Sequence, residues 1–265
     1  MHLLIFLTAL PLWASDDASA ILNRWIEAQR WNDQRAEQYT YVEKAEWFAY
    51  DKKSQPQKVR SATSEVIFIE GLEYKKLAAR NGKPLAPREQ AQVEQEMRQT
   101  AEERRKQRGL RAPGGRIQFG NQSMDVGSRE ELLTLFDNRL VGEEEIGGRK
   151  AWVIESIPKA DLVPANEHEK EVLCFRKKHW IDEADAVLIR QIVTLTGEGY
   201  LAKPGSTLSF EFEKIGQDTW HEVLIVLDLY NFRDKVLKPS GRTEYRLSRF
   251  QKFDVQSTIT VDLPQ

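Results

Sequence analysis

The residue types able to do chemistry are few in this chain, and their spacing brings few of them together. Four histidines and a single cysteine, Cys174, stand among 41 acidic and 39 basic residues. His168, Glu169, Glu171, Cys174 and His179 form the densest run of metal-ligating types. On an extended strand His168 and Cys174 point one way and His179 the other, so the set does not converge on an ion. Cys174 as a nucleophile would need a histidine beside it and a depressed pKa. It reads instead as a small buried apolar residue, and as a lone cysteine it forms no intrachain disulfide.

Asp182, Glu183 and Asp185 make an acidic turn that lacks the glycine and the bidentate glutamate of a calcium loop. The expectation is a solvated turn, and Glu143-Glu144-Glu145 has the same character. No two carboxylates stand out as an acid and base pair for glycoside chemistry. Nucleophile-elbow, phosphate-loop, dinucleotide and His-Glu-x-x-His patterns are absent from the sequence. His168-Glu169 and His221-Glu222 are only dipeptides. The reading is a protein that is not an enzyme, with no catalytic residues, no metal and no cofactor.

The elements that would position any site are mostly strands. Leu208, Phe210 and Phe212 alternate with Ser209, Glu211 and Glu213, the period of a sheet with one apolar face. Val187, Ile189, Val193 and Leu195 are expected on one face of their strand, and Leu188, Arg190, Ile192 and Thr194 on the other. Val223, Ile225, Leu227 and Leu229 repeat the pattern. Hairpins are expected around Gly71, Asn81-Gly82 and Gly147-Gly148. Strands are further expected over Glu171 to Trp180, Thr243 to Phe253 and Val255 to Val261, and an irregular Gly-rich stretch over Ala112 to Gly127.

Helices are expected over Ala18 to Gln38, with an apolar stripe at Ile21, Leu22, Trp25 and Ile26, and over Ser128 to Phe136, opened by a Ser128/Glu131 capping box. Pro87 to Arg108 is a third, rich in strong helix formers and nearly without apolar residues. Its basic end fits cations at a helix C-terminus. It lacks the interleaved aromatics of a nucleic-acid surface. The fold class is α+β: a single strongly curved antiparallel sheet of ten or eleven strands, an open half-barrel with covering helices.

The 265 residues, 40% hydrophobic and 30% charged, suffice for one large domain with its own core. A net charge of -2 argues against a global electrostatic grip on nucleic acid or an anionic membrane. Leu3 to Ala14 is apolar but too short for a bilayer span. With Ala18-Ser19-Ala20 after it, it reads as a signal peptide over 1–20 and an exported, unlipidated chain. Leu12-Trp13-Ala14 is the poorer cleavage signature, because Leu12 is not small. The expected compartment is a bacterial periplasm.

Taken together, several passages resemble the lipoprotein-carrier family (LolA/LolB-like, outer-membrane lipoprotein-sorting proteins). They are the leading helix followed by Tyr39-x-Tyr41-x-Glu43, the arm GRKAWVIESIPK from Gly148, KKHWIDEADAVLIRQIV from Lys177, and the close at Arg249 to Phe253. The resemblance implies an unclosed half-barrel over residues 21–265, carrying the charged helix 87–108 as an insert, with helices lidding an apolar cavity for acyl chains. It brings no catalytic residues. Trp152, Ile154, Val187, Ile189, Val193, Phe210 and Phe212 are the lipid-binding candidates. The expected partner is a lipid or an acylated lipoprotein. The same plan also serves in periplasmic sensors, which makes a membrane-anchored protein, met through the charged helix, the alternative partner.

Overall fold

A computed structural model of the protein describes residues 15–106, 116–119, 122–197, 202–233 and 236–253. It opens with α1 (Ser15–Ala36), followed by strands β1 (Tyr39–Tyr50), β2 (Pro56–Ile69), β3 (Leu72–Arg80) and the two-residue β4 (Lys83–Pro84). Next come α2 (Pro87–Lys106), the short hairpin β5 (Arg116–Phe119) and β6 (Gln122–Asp125), and α3 (Glu131–Leu135). β7 (Phe136–Ile146), β8 (Arg149–Pro158) and α4 (Glu167–Val172) lead to β9 (Phe175–Asp182) and β10 (Leu188–Leu195). The chain closes on β11 (Thr207–Lys214), β12 (Trp220–Arg233) and β13 (Val236–Lys252).

Eleven strands form one antiparallel sheet in the order β4-β3-β2-β1-β13-β12-β11-β10-β9-β8-β7, with β5 and β6 apart. The sheet does not close into a barrel. The expected α+β class and open sheet are therefore what the chain adopts. The β1–β13 pairing, with Tyr39 opposite Lys252, joins the first strand to the last. Gly147 and Gly148 sit at φ +58° and +78° between β7 and β8, the two left-handed positions that a two-residue hairpin turn requires.

Register shifts interrupt the ladder and reassign faces. Opposite Ile181 stands Leu188, and opposite Trp180 stands Arg190, so Ile189 is the extra residue. A bulge of this kind bends its strand and reverses the alternation beyond it. Val187 and Ile189 therefore do not share a face with Val193 as simple alternation predicts. Leu188, Gln191 and Val193 do. The β11–β12 ladder shifts likewise between Glu211 and Phe212, which sets Glu222 rather than Val223 opposite Phe212.

α1 covers one face of the sheet. Ala18, Leu22, Trp25 and Ile26 are buried with Leu132, Leu135, Phe136, Ile154, Val172, Ile181 and Leu188. The stripe continues as polar Gln29 and Asn32, which are 5% and 4% exposed. Gln29 Oε1 accepts from Trp25 Nε1 at 3.3 Å. Asn32 donates to the Trp220 carbonyl at 2.8 Å and accepts its N–H at 2.7 Å. Those two bonds fix the end of α1 to the start of β12. Because α1 begins at Ser15 and Ala18 is fully buried, a chain starting at 21 would lack the first turn and a half of this helix.

Several expectations move. His168 lies on α4, not on a strand, and its Nε2 is 2.6 Å from Glu131 Oε1. The stretch expected to be irregular contains β5 and β6, whose four-residue arms are too short for a periodic signal. The acidic turn is only partly solvated: Asp182 is 1% exposed and clamped by Arg149, while Glu183 and Asp185 are half-buried. The strand expected at 255–261 lies outside the described residues. The Ser128/Glu131 box forms, with Ser128 N–H donating to Glu131 Oε2 at 2.6 Å and Glu131 N–H to Ser128 Oγ at 3.3 Å. The helix itself starts only at Glu131.

α2 buries none of its residues. Its C-terminal end is held by Arg104, which donates to the carbonyls of Ile69, Leu72 and Glu73 at 3.1, 2.7 and 2.8 Å, and by Arg105, whose Nε lies 2.7 Å from Glu70 Oε1. The basic end expected to meet the helix dipole thus also grips the β2–β3 turn.

Candidate functional site

The helix-bearing face is not filled throughout. A cavity of about 370 Å³ lies between α1, the segment leading into α3, and strands β9 to β12. α1 contributes Trp25, Gln29 and Asp33; the segment contributes residues from Val126 to Leu132. Lys177, Leu188, Gln191, Phe210, Phe212 and Glu222 line it from the sheet.

The bulges described above decide this lining. They bring Leu188 and Gln191 onto the face of Lys177 and His179, and Glu222 onto the face of Phe212. Phe210 and Phe212 are stacked with centroids 6.4 Å apart. Lys177, only 3% exposed, holds its ammonium 4.5 Å from the centre of the Phe136 ring, a cation–π contact in a largely dry setting. Gln191 Nε2 lies 3.2 Å from His179 Nδ1. His179 is fully buried, and burial, reinforced by the Lys177 charge, pushes its pKa down to about 3, so the ring is neutral at ordinary pH.

The rim is tied by two ion pairs between α1 and the entry to α3. Arg129 Nη1 is 2.7 Å from Asp33 Oδ2, and Arg30 Nη2 is 2.8 Å from Glu130 Oε1. Its bond from Arg30 holds Glu130 below the usual carboxylate range. Both pairs are well exposed, and such pairs contribute about 1 kcal/mol or less each. The rim is thus latched weakly over a strongly held floor.

Of the residues singled out from sequence, Phe210 and Phe212 line the cavity. Ile154 is wholly buried under α1, with Trp152 packed at the border of the same cluster. Val193 belongs with Phe175, Leu195, Leu208, Phe210 and Leu227. Val187 and Ile189 pack with Ala151, Val153, Trp180 and Trp220. The structure therefore gathers the seven into three neighbouring clusters, touched in common only by Phe212. Sequence reasoning missed Gln29, Lys177, Gln191 and Glu222. The available signal was a polar residue interrupting an otherwise apolar face.

Cys174 donates to the Lys170 carbonyl at 3.3 Å, and burial raises its pKa, away from a thiolate. Among the described residues no group of three or more His, Cys, Asp or Glu could hold a metal ion. No described helix is long and apolar enough to cross a membrane.

Comparison with known proteins gives no matching family model and no matching curated protein. Solved structures do align. A putative lipoprotein-sorting domain from Vibrio parahaemolyticus aligns over 95% of this chain and 96% of its own, with 10% identity and a TM-score of 0.41. A DUF1329 family protein from Desulfovibrio piger aligns over 91% and 95%, with 15% identity and a TM-score of 0.42. A LolA-superfamily protein from Nitrosomonas europaea covers 90% and 94%, with 10% identity and a TM-score of 0.33.

Proposed function

We propose that this chain is a non-enzymatic periplasmic binding protein that holds an acyl chain of a lipid or lipoprotein between α1 and the sheet and carries it. The observation that supports this reading is the cavity of about 370 Å³ lined by Phe210, Phe212 and Leu188 from the sheet, Leu132 from α3 and Trp25 from α1. That volume falls in the range of small-molecule sites. Each acyl methylene taken from water contributes about 0.8 kcal/mol, so a short length of chain gives useful affinity without charged contacts. Gln29, Ser128, Gln191 and Glu222 share the lining, which suits an amphiphile better than a bare hydrocarbon. The weak rim latch is where a guest enters.

The test is titration of the purified protein with a fluorescent fatty acid in vesicle-free buffer, alongside mass spectrometry of co-purified lipid. Saturable binding competed by unlabelled fatty acid supports the carrier reading. Absence of both binding and co-purified lipid refutes it.

A second reading rests on α2, which buries no residue along its whole length. A helix so exposed, yet anchored by Arg104 at one end, is a contact surface for a membrane-anchored protein partner. Pull-downs with and without residues 88–103 separate this reading from the first.

A further inference from the structure

The charges that line the cavity differ in burial. At the rim Asp33 pairs with Arg129, and Glu130 with Arg30. Glu222 Oε2 lies 3.2 Å from His221 Nδ1. Asp33, Arg129, Glu130 and Glu222 are all half-buried or exposed. Lys177 is the one charged lining residue that is buried, and its ammonium carries three N–H donors.

The sheet register places Lys177 at one corner of the lining. It stands opposite Val193, Val193 opposite Leu208, and Leu208 opposite Leu227. Gln191 and Phe210 pair one side-chain position further along that face, and Phe212 pairs with Glu222 beyond them. From Lys177 on β9 to Glu222 on β12 is three strand spacings, about 14 Å. Gln191, Phe210 and Phe212 lie between. An aromatic run that ends on a buried cation complements a single apolar chain that ends on an anion.

Size and charge narrow the guest further. The cavity of about 370 Å³ is about a dozen times the roughly 30 Å³ that one water occupies. A methylene is of similar size, so one chain of about a dozen carbons fills it. A phosphate monoester brings a charge of about −1.5 to −2, whereas a carboxylate brings the single charge that one ammonium matches. The acyl chains of lipoproteins and phospholipids are linked as amides or esters and present no such head.

We propose that the guest is a free single-chain fatty acid bound head-in, its carboxylate at Lys177 beside Gln191 and its chain running over Phe210 and Phe212 toward Glu222. This rests on the cavity being the binding site, and it replaces a lipoprotein anchor by an unesterified acid as the cargo.

Calorimetric titration of the whole chain with decanoate, decanol and a peptide capped by an amide-linked decanoyl group tests this, because the three share one chain length. The wild type binds decanoate at least as tightly as decanol, although the carboxylate is the more strongly hydrated head, and binds the capped peptide at least about tenfold more weakly. Lys177→Met weakens decanoate by at least about tenfold and leaves decanol unchanged, which also shows that the variant is folded. Should that variant melt early, nuclear Overhauser contacts in the wild type decide: the C2 protons of bound decanoate, not its terminal methyl, reach the Lys177 ε-methylene. Decanol or the capped peptide bound more tightly than decanoate, equal losses of decanoate and decanol in Lys177→Met, or contacts from the terminal methyl instead, overturn the head-in acid and leave the cavity as the site. Binding of none of the three overturns the carrier reading and this proposal with it.

Discussion

Trp25 lies over His179, with ring centroids 5.4 Å apart and planes tilted by 43°. This contact seats α1 on the sheet, and it buries an imidazole completely. His179 Nε2 has no hydrogen-bond partner, so the ring is held by packing and by Gln191.

That burial makes the fold acid-sensitive in a defined window. The pKa of His179 falls to about 3 in the folded chain, against about 6.5 for an unfolded histidine. Between those values the unfolded chain binds the extra proton, so stability falls as pH drops below about 6.5, by up to about 1.4 kcal/mol per unit. Above that pH His179 contributes no slope. Urea midpoints at about pH 7.5 and about pH 5.5 should differ in the wild type and differ less in His179→Gln. An unchanged slope in the variant would count against the argument.

Arg149 should prove a structural clamp. Its Nε and Nη2 reach Asp182 at 2.6 and 2.8 Å, and Nη2 also reaches Asp185 at 3.0 Å. Asp182 Oδ1 further accepts the Ala184 and Asp185 N–H groups at 3.0 and 2.7 Å. Burial alone would raise the pKa of Asp185, but bonds from Lys214 and Trp220 outweigh it and leave the carboxyl below its usual range. Asp182→Ala removes a buried acceptor from a bidentate pair and is expected to cost about 3 kcal/mol in chemical denaturation. Arg149→Lys, which keeps the charge but loses the fork, should cost less.

Cavity and core positions should separate cleanly. Phe210→Ser is expected to weaken fatty-acid binding by about tenfold. Ile189→Ala, in a buried cluster away from the cavity, should lose about 2–5 kcal/mol of stability and leave affinity unchanged. Comparable losses of affinity in both would remove the cavity from consideration as the binding site.

Should the chain be exported through a cleaved leader, a cut after Ala14 is expected to leave a better-packed helix than a cut after Ala20. Ala18 is fully buried against the α1 cluster, so removal of residues 15–20 discards packed helix. N-terminal sequencing or intact mass of exported protein distinguishes Ser15 from Ile21, and a start at Ile21 would contradict this argument.

Local rules made much of the architecture legible. Gly147-Gly148 announced its hairpin, Pro87 and the run of helix formers announced α2, and alternation announced β11. Bulges were not legible, because an extra residue at Ile189 leaves the composition of the strand unchanged while turning its faces over. α4 went unread although its cap was present: Asn166 Oδ1 accepts the Glu169 N–H at 2.9 Å, and Glu169 Oε2 accepts that of Ala165 at 2.8 Å. One cap residue and its partner inside so short a helix are a weak signal beside a strand-like run that follows. The cavity depended on the first of these misses, since Gln191 and Glu222 of its polar lining come from bulged strands.

The sheet ends on β7, whose free side meets no other described strand, and three successive exposed glutamates, Glu143 to Glu145, stand there. Like charges along such a margin repel the strand of a neighbouring copy that would otherwise add to the ladder. Concentrated solutions should therefore remain clear at low ionic strength and turn cloudy as added salt screens those charges and the margin loses its electrostatic guard.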